Sequence, residues 1–239
     1  MTDPSLQRTA RVAGVLYLVV IVCAGFAEGY IRTGLIVPGD AAATADNIAS
    51  AEGLYRVGFA SDLVAFLCDV AISVLLYVLL RPVSKTLSLL AAAFRLIAHP
   101  AIASVNLLNH IMALLLVREG SDVTGLAAEQ VAALATLFVE AHAIGYLIGG
   151  AFFGVHLLFL GYLVYRAGYL PQWLGILLTL AAVGYLVESF GTFLVPRYEA
   201  VYVWVVAVPA AVAEVSLALW LTVKGARTDR RTDMRQPVA

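Results

Sequence analysis

The sequence predicts an all-α, polytopic integral membrane protein: a bundle of six transmembrane helices with both termini in the cytoplasm. Three observations predict it. The 239 residues are 62% hydrophobic and only 13% charged, with a mean hydropathy of +0.92, whereas soluble domains average about 25% charged and under about 50% apolar. No soluble fold of this length hides so much apolar side chain, so the surrounding solvent is lipid. The apolar residues also gather into six runs, each meeting the roughly 20 residues a helix needs to cross a bilayer. Finally, the basic residues between those runs are segregated to one side.

The first run follows Arg8 and Arg11 and has the outline of a signal peptide. No small-residue cleavage site follows promptly, and five further apolar runs point to a retained anchor. Val20-Ile21-Val22-Cys23 is a poor lipoprotein box, because small residues are missing before the cysteine. The spans fall at about 12–31, 54–80, 87–117, 137–165, 173–195 and 201–223, within one transmembrane domain over residues 1–223. Backbone groups in hydrocarbon must bond internally, so each span is a helix.

Two connections are longer. Residues 37–53 open with Pro38-Gly39-Asp40, a turn and an N-cap before an alanine-rich stretch that predicts a short surface helix. In residues 119–135, Gly120-Ser121-Asp122 predicts a break, with a helix restarting over 127–136. The tail, 224–239, is basic and polar and is expected to be disordered against anionic lipid.

Orientation follows from the basic residues. With the N-terminus inside, Arg8, Arg11, Arg81, Lys85, Arg166, Lys224, Arg227, Arg230, Arg231 and Arg235 are cytoplasmic; only Arg32, Arg118 and Arg197 lie outside. Aromatic side chains such as Tyr30, Tyr55, Tyr165, Trp173, Tyr202 and Trp220 mark span ends, as interfacial belts do. Cys23 and Cys68, both inside apolar runs, exclude a disulfide framework and a thiolate zinc site. Phosphate-loop, dinucleotide and nucleophile-elbow motifs are missing, and nothing suggests a nucleic-acid partner. The halves show neither a tandem nor an inverted repeat.

Specific local sequence then narrows the reading. Phe152-Phe153-Gly154-Val155-His156-Leu157-Leu158, followed by Gly161-Tyr162-Leu163-Val164-Tyr165-Arg166-Ala167-Gly168-Tyr169-Leu170-Pro171, resembles domain of unknown function 4386. So do Arg11-Val12-Ala13-Gly14-Val15-Leu16-Tyr17-Leu18 and Gly184-Tyr185-Leu186-Val187-Glu188-Ser189-Phe190. The resemblance extends over essentially the whole chain. It implies a multi-pass protein of a bacterial cytoplasmic (inner) membrane and supplies no catalytic residue, substrate or cofactor.

Ionisable groups inside spans cost roughly 2.5–3.5 kcal/mol each at a helix centre and are functional candidates by default. Here they are Glu28, Asp62, Asp69, Arg95, His99, His110, His142, His156, Glu188 and Glu214, with Asn106 and Asn109 beside them. At about 100° per residue, Arg95, His99, Asn106, Asn109 and His110 share one face of the third span, and Asp62 and Asp69 share one face of the second. His142, Gly145, Gly149 and His156 share a face of the fourth. Depth sorts them into two layers. An inner layer holds Asp69, Arg95, His156 and Glu214 with His99 slightly deeper; an outer one holds Asp62, Asn106, His110 and Glu188, with Glu140 and His142 nearer the surface.

The residues expected to line a polar pocket are therefore Asp62, Asp69, Arg95, His99, Asn106, His156, Glu188 and Glu214. The favoured function is binding or transport of a small polar, amphipathic or lipid-like molecule, with Pro100 and Pro209 interrupting helices as cavity-lining kinks do. One alternative is purely structural polar packing that fixes helix register. Another is an intramembrane metal-dependent hydrolase using His99, His156, Asp69 and Glu214 on zinc. Haem held between His99 and His156, or between His110 and His142, is a further cofactor option; otherwise no cofactor is expected. Gly145-x-x-x-Gly149 and Gly150-x-x-x-Gly154 fit helix packing, within the chain or in a homodimer.

Overall fold

A computed structural model describes residues 4–226, and among them the ordered elements are all helical. Most of the basic tail, from Arg227 onward, lies outside the described residues. Six helices are long and apolar enough to cross a membrane: span 1 (Ser5–Leu35), span 2 (Glu52–Leu80), span 3 (Lys85–Asp122), span 4 (Ala128–Arg166), span 5 (Gln172–Leu194) and span 6 (Pro196–Val223). The protein is a multi-pass membrane helical bundle. Each span packs on its neighbours in sequence, and span 6 returns against span 1, closing the ring. Gln7 ties that closure at one end, its Nε2 donating to the Lys224 carbonyl at 2.9 Å.

The helices overrun their apolar runs because the flanking residues also favour helix. The largest difference lies between spans 3 and 4. Span 3 does not break at Gly120-Ser121-Asp122; its helix continues to Thr124 and ends at Gly125, whose φ of +70° is the left-handed conformation glycine adopts freely. The helix that restarts at Ala128 is span 4 itself, unbroken for 39 residues. No separate surface helix forms there. The other connection behaves as its residues dictate: Asp40 accepts a hydrogen bond from the Ala43 backbone at 2.9 Å and caps a helix over Ala41–Ser50. That short helix lies across the outer ends of spans 3 and 4.

Glycine sets how closely the helices cross. A Cβ on Gly161 would stand 2.8 Å from the Gly175 carbonyl oxygen, and one on Gly175 would stand 2.6 Å from that of Gly161. Spans 4 and 5 therefore meet backbone to backbone. Both small-xxx-small pairs of span 4 are taken up within the chain. Gly149 faces the Ala98 carbonyl of span 3, and Gly154 faces the Ala182 carbonyl of span 5. Between spans 4 and 5, Tyr169 donates to the Leu79 carbonyl at 2.6 Å, and burial pushes its phenol up to about 12.

The outward faces are apolar: Leu67, Val105, Leu108, Leu194 and Trp204 are among the most exposed side chains. Such a surface is stable against lipid and not against water. The inward faces hold a large apolar core fed by all six spans, with Leu79, Leu157, Leu160, Leu178 and Leu221 fully buried. The buried polar groups interrupt this core at two levels.

Candidate functional site

The inner level is built from all six spans. Arg95 of span 3 is 1% exposed and is held by Asp69 of span 2, also 1% exposed. Its Nε donates to Asp69 Oδ1 at 3.0 Å, and its Nη2 makes a second, shorter contact with the same oxygen. The other carboxylate oxygen, Oδ2, pairs with His99 Nδ1. The guanidinium lies over the Tyr17 ring of span 1, 4.6 Å from its centroid, and 5.3 Å from that of Phe153, so its faces are covered by aromatic quadrupoles.

Two further groups complete the coordination of Arg95. Its Nη1 lies 3.3 Å from both the Tyr17 hydroxyl and His156 Nε2. His156 Nδ1 is 2.7 Å from the Ala91 carbonyl. A carbonyl only accepts, so Nδ1 carries the proton and Nε2 presents its lone pair to Arg95. Tyr17 then donates its own hydrogen to Glu214 Oε2 of span 6 at 2.9 Å, while Tyr185 of span 5 donates to Oε1 at 2.9 Å.

The outer level uses spans 1 to 4. Arg32, 4% exposed, donates through Nη1 to Asp62 Oδ2 at 2.7 Å and through Nε to Glu28 Oε2 at 2.6 Å. Tyr146 of span 4 lies under this guanidinium, with 5.5 Å between Cζ and ring centroid. His110 stacks on Tyr55 with 3.9 Å between centroids and donates through Nε2 to the Tyr55 carbonyl at 3.1 Å. His142 donates through Nδ1 to the Asn106 carbonyl at 3.2 Å, and Asn106 Nδ2 returns a bond to the His142 carbonyl at 2.7 Å. The rings form a chain, with His110 to His142 at 5.4 Å and His142 to Tyr146 at 5.0 Å.

The two levels differ in one respect. At the inner level Asp69 Oδ2 and His99 Nδ1 are the two named atoms outside hydrogen-bonding geometry, and they lie in ion-pair contact with each other. At the outer level the Asp62 carboxylate and the Tyr146 hydroxyl likewise interact with each other, while Arg32 Nη2, His110 Nδ1 and His142 Nε2 are buried with no hydrogen-bond partner.

Local helix geometry delivers two of these side chains. Arg32 closes a π-helical stretch over Ala27–Arg32, and His99 sits in another over Ile97–Ala103. The second has a direct cause: Pro100 has no N–H, so the carbonyl one turn back loses its α-helical partner. Such wide turns change which way a side chain faces and occur often at functional sites.

Seven of the eight pocket residues read from the sequence fall at these levels: Asp69, Arg95, His99, His156 and Glu214 inside, Asp62 and Asn106 outside. Glu188 does not join the outer group. It is half-buried on span 5 with Glu199 as its charged neighbour, while Ser189 beside it donates to the Leu147 carbonyl of span 4. His142 is turned into the bundle, at 4% exposure, as the face it shares with Gly145, Gly149 and His156 requires. Sequence reasoning missed Arg32, counting it as an outer flanking charge, and missed Tyr17, Tyr146 and Tyr185. The signal for the tyrosines was their mid-span position: a phenol away from the interface needs a hydrogen-bond partner.

Among the described residues, no group of three or more His, Cys, Asp or Glu is placed to hold a metal. His156 has both ring nitrogens engaged, and the His110 and His142 rings touch edge to face. An apolar groove of about 370 Å³ between spans 4 and 5, walled by Leu158, Tyr162, Ile176 and Leu180, opens toward lipid and carries no charge.

The sequence matches the family described as Domain of unknown function (DUF4386) over residues 12–225. The chain belongs to the DUF4386 family. Both buried levels lie inside the matched region. A protein of Archaeoglobus fulgidus described as an uncharacterized protein is similar to this DUF4386 chain, 33% identical over 157 residues that cover 66% of the chain and 76% of the relative. No solved structure matches it.

Proposed function

We propose that this DUF4386 protein binds a small polar molecule at the outer level and carries it within the bundle. The observation behind this reading is the set of three partnerless polar atoms on Arg32, His110 and His142. A buried polar atom left unsatisfied costs about 1–3 kcal/mol, and net domain stability is only about 5–15 kcal/mol. Packing that merely fixes register needs no such cluster. The chemistry favours an occupant rich in donors. His110 Nδ1 and His142 Nε2 offer lone pairs, while Arg32 Nη2 offers a hydrogen. A small hydroxylated or amine-bearing compound meets both demands. On this reading the site is reached from the outer end, in the cytoplasmic membrane of a bacterium.

The metal-dependent hydrolase reading requires His156 Nε2 to leave Arg95 before it joins His99, Asp69 and Glu214 on zinc, while Nδ1 keeps its bond to the Ala91 carbonyl. Elemental analysis of the purified protein addresses it directly.

The test is a thermal-shift screen of the detergent-purified chain against small polyols, amino alcohols and primary amines. A ligand at a hundred times its Kd stabilises by about 2.7 kcal/mol. The expected result is a solute that raises Tm in the wild type and not in His142→Leu. If no such solute shifts Tm, or if the shift survives His142→Leu, the outer level is not its binding site.

A further inference from the structure

The inner level has a charge imbalance that its geometry does not remove. Asp69 and Glu214 are two carboxylates, and Arg95 is one obligate cation. Uncompensated charge in a low-dielectric interior is strongly unfavourable, so the layer needs one more proton. The groups facing it from each span limit where that proton sits. Span 1 supplies Tyr17, whose hydrogen is directed at Glu214 because its oxygen receives Arg95. Span 4 supplies His156, whose single proton is fixed on Nδ1 by the Ala91 carbonyl. Span 2 supplies Asp69, already paired with Arg95 and His99, with Cys68 next to it in the chain. Span 5 supplies Tyr185, and Glu188 lies one turn outward. Two acceptable places are left: His99 of span 3 and Glu214 of span 6.

We propose that the inner level is a proton-binding site, holding one exchangeable proton shared between His99 and Glu214. With the proton on His99, the imidazolium pairs with Asp69 and Glu214 accepts both tyrosine hydroxyls. With the proton on Glu214, an N–H bond at His99 has broken and an O–H bond has formed at Oε1. Oε1 then donates to Tyr185, whose oxygen changes from donor to acceptor. The layer is neutral in both states, and no oxidant or reductant takes part. The His99 side chain is 21% exposed and Glu214 is half-buried, whereas Asp69, Arg95, His156 and Tyr17 are sealed. The proposal is independent of the outer-level ligand and stands whether or not one is found.

Infrared spectroscopy of the full chain in lipid nanodiscs at neutral pH tests it through the C=O stretch of a protonated carboxyl group. His99→Gln removes one of the two sites, so a carboxyl band should grow by up to one group per chain and vanish in His99→Gln/Glu214→Gln. No band in a folded His99→Gln protein would mean both carboxylates ionise together, which overturns the proposal. A band equally strong in wild type and His99→Gln would also overturn it, because the proton would then be fixed on Glu214. Should His99→Gln fail to fold, Tyr185→Phe takes its place. Removing the donor at Oε1 should strengthen the Glu214 band relative to wild type, and an unchanged spectrum counts against sharing.

Discussion

Arg95 and Asp69 face each other across spans 3 and 2 with each side chain 1% exposed and Nε 3.0 Å from Oδ1. Losing one partner strands the other charge in the core, at about 3–5 kcal/mol. Asp69→Asn and Arg95→Met are therefore both expected to lower thermal stability strongly, read as loss of monodisperse protein on heating in detergent. The double variant Asp69→Leu/Arg95→Met should recover much of that loss. Losses that simply add would show that the pair is not coupled.

Tyr17 and Tyr185 each donate one hydrogen bond to Glu214. A bond to a charged acceptor contributes about 1.5–3 kcal/mol. Tyr17→Phe should destabilise more than Tyr185→Phe, because the Tyr17 hydroxyl also receives Arg95. The two unfolding midpoints, measured side by side, check the order.

The crossing of spans 4 and 5 has no room for a side chain at Gly161 or Gly175. Gly175→Val places carbon against the backbone of the facing helix, where neither side can yield by a rotamer change. Overpacking costs typically about 1–3 kcal/mol, and more against backbone. Poor expression with a lowered midpoint is expected, whereas Gly29→Ala, with open space around it, should be tolerated by packing.

Topology is tested by single cysteines in a background without Cys23 and Cys68. A membrane-impermeant maleimide added to intact cells should label Asp40→Cys in the turn after span 1. It should not label Ser84→Cys between spans 2 and 3. The reverse pattern would invert the orientation that the basic residues assign.

The span count and the two polar levels were legible because the bilayer imposes strict rules: about 20 apolar residues per crossing, and inward placement of anything ionisable. Asp69, Arg95, His99, His156 and Glu214 came together as their depth and helical phase required. Arg32 was not legible. It lies near the end of span 1, where a flanking charge and a buried one look the same, and only the π-helical turn over Ala27–Arg32 carries it inward to Asp62. Glu188 stands apart from the outer group for the opposite reason, since depth alone placed it while span 5 turns Ser189 toward span 4.

The sequence by itself determined the class, the number of crossings, the cap at Asp40 and the depth of each charge. These depend on composition and on distance along one helix. The tertiary structure alone decided which groups are satisfied. Inner-level Arg95 found Asp69, Tyr17 and His156, while outer-level His110 and His142 keep open lone pairs. Hydrogen bonding between spans depends on the rotation of each helix about its axis to within a few tens of degrees, and that rotation is set by packing at contacts such as Gly161 on Gly175.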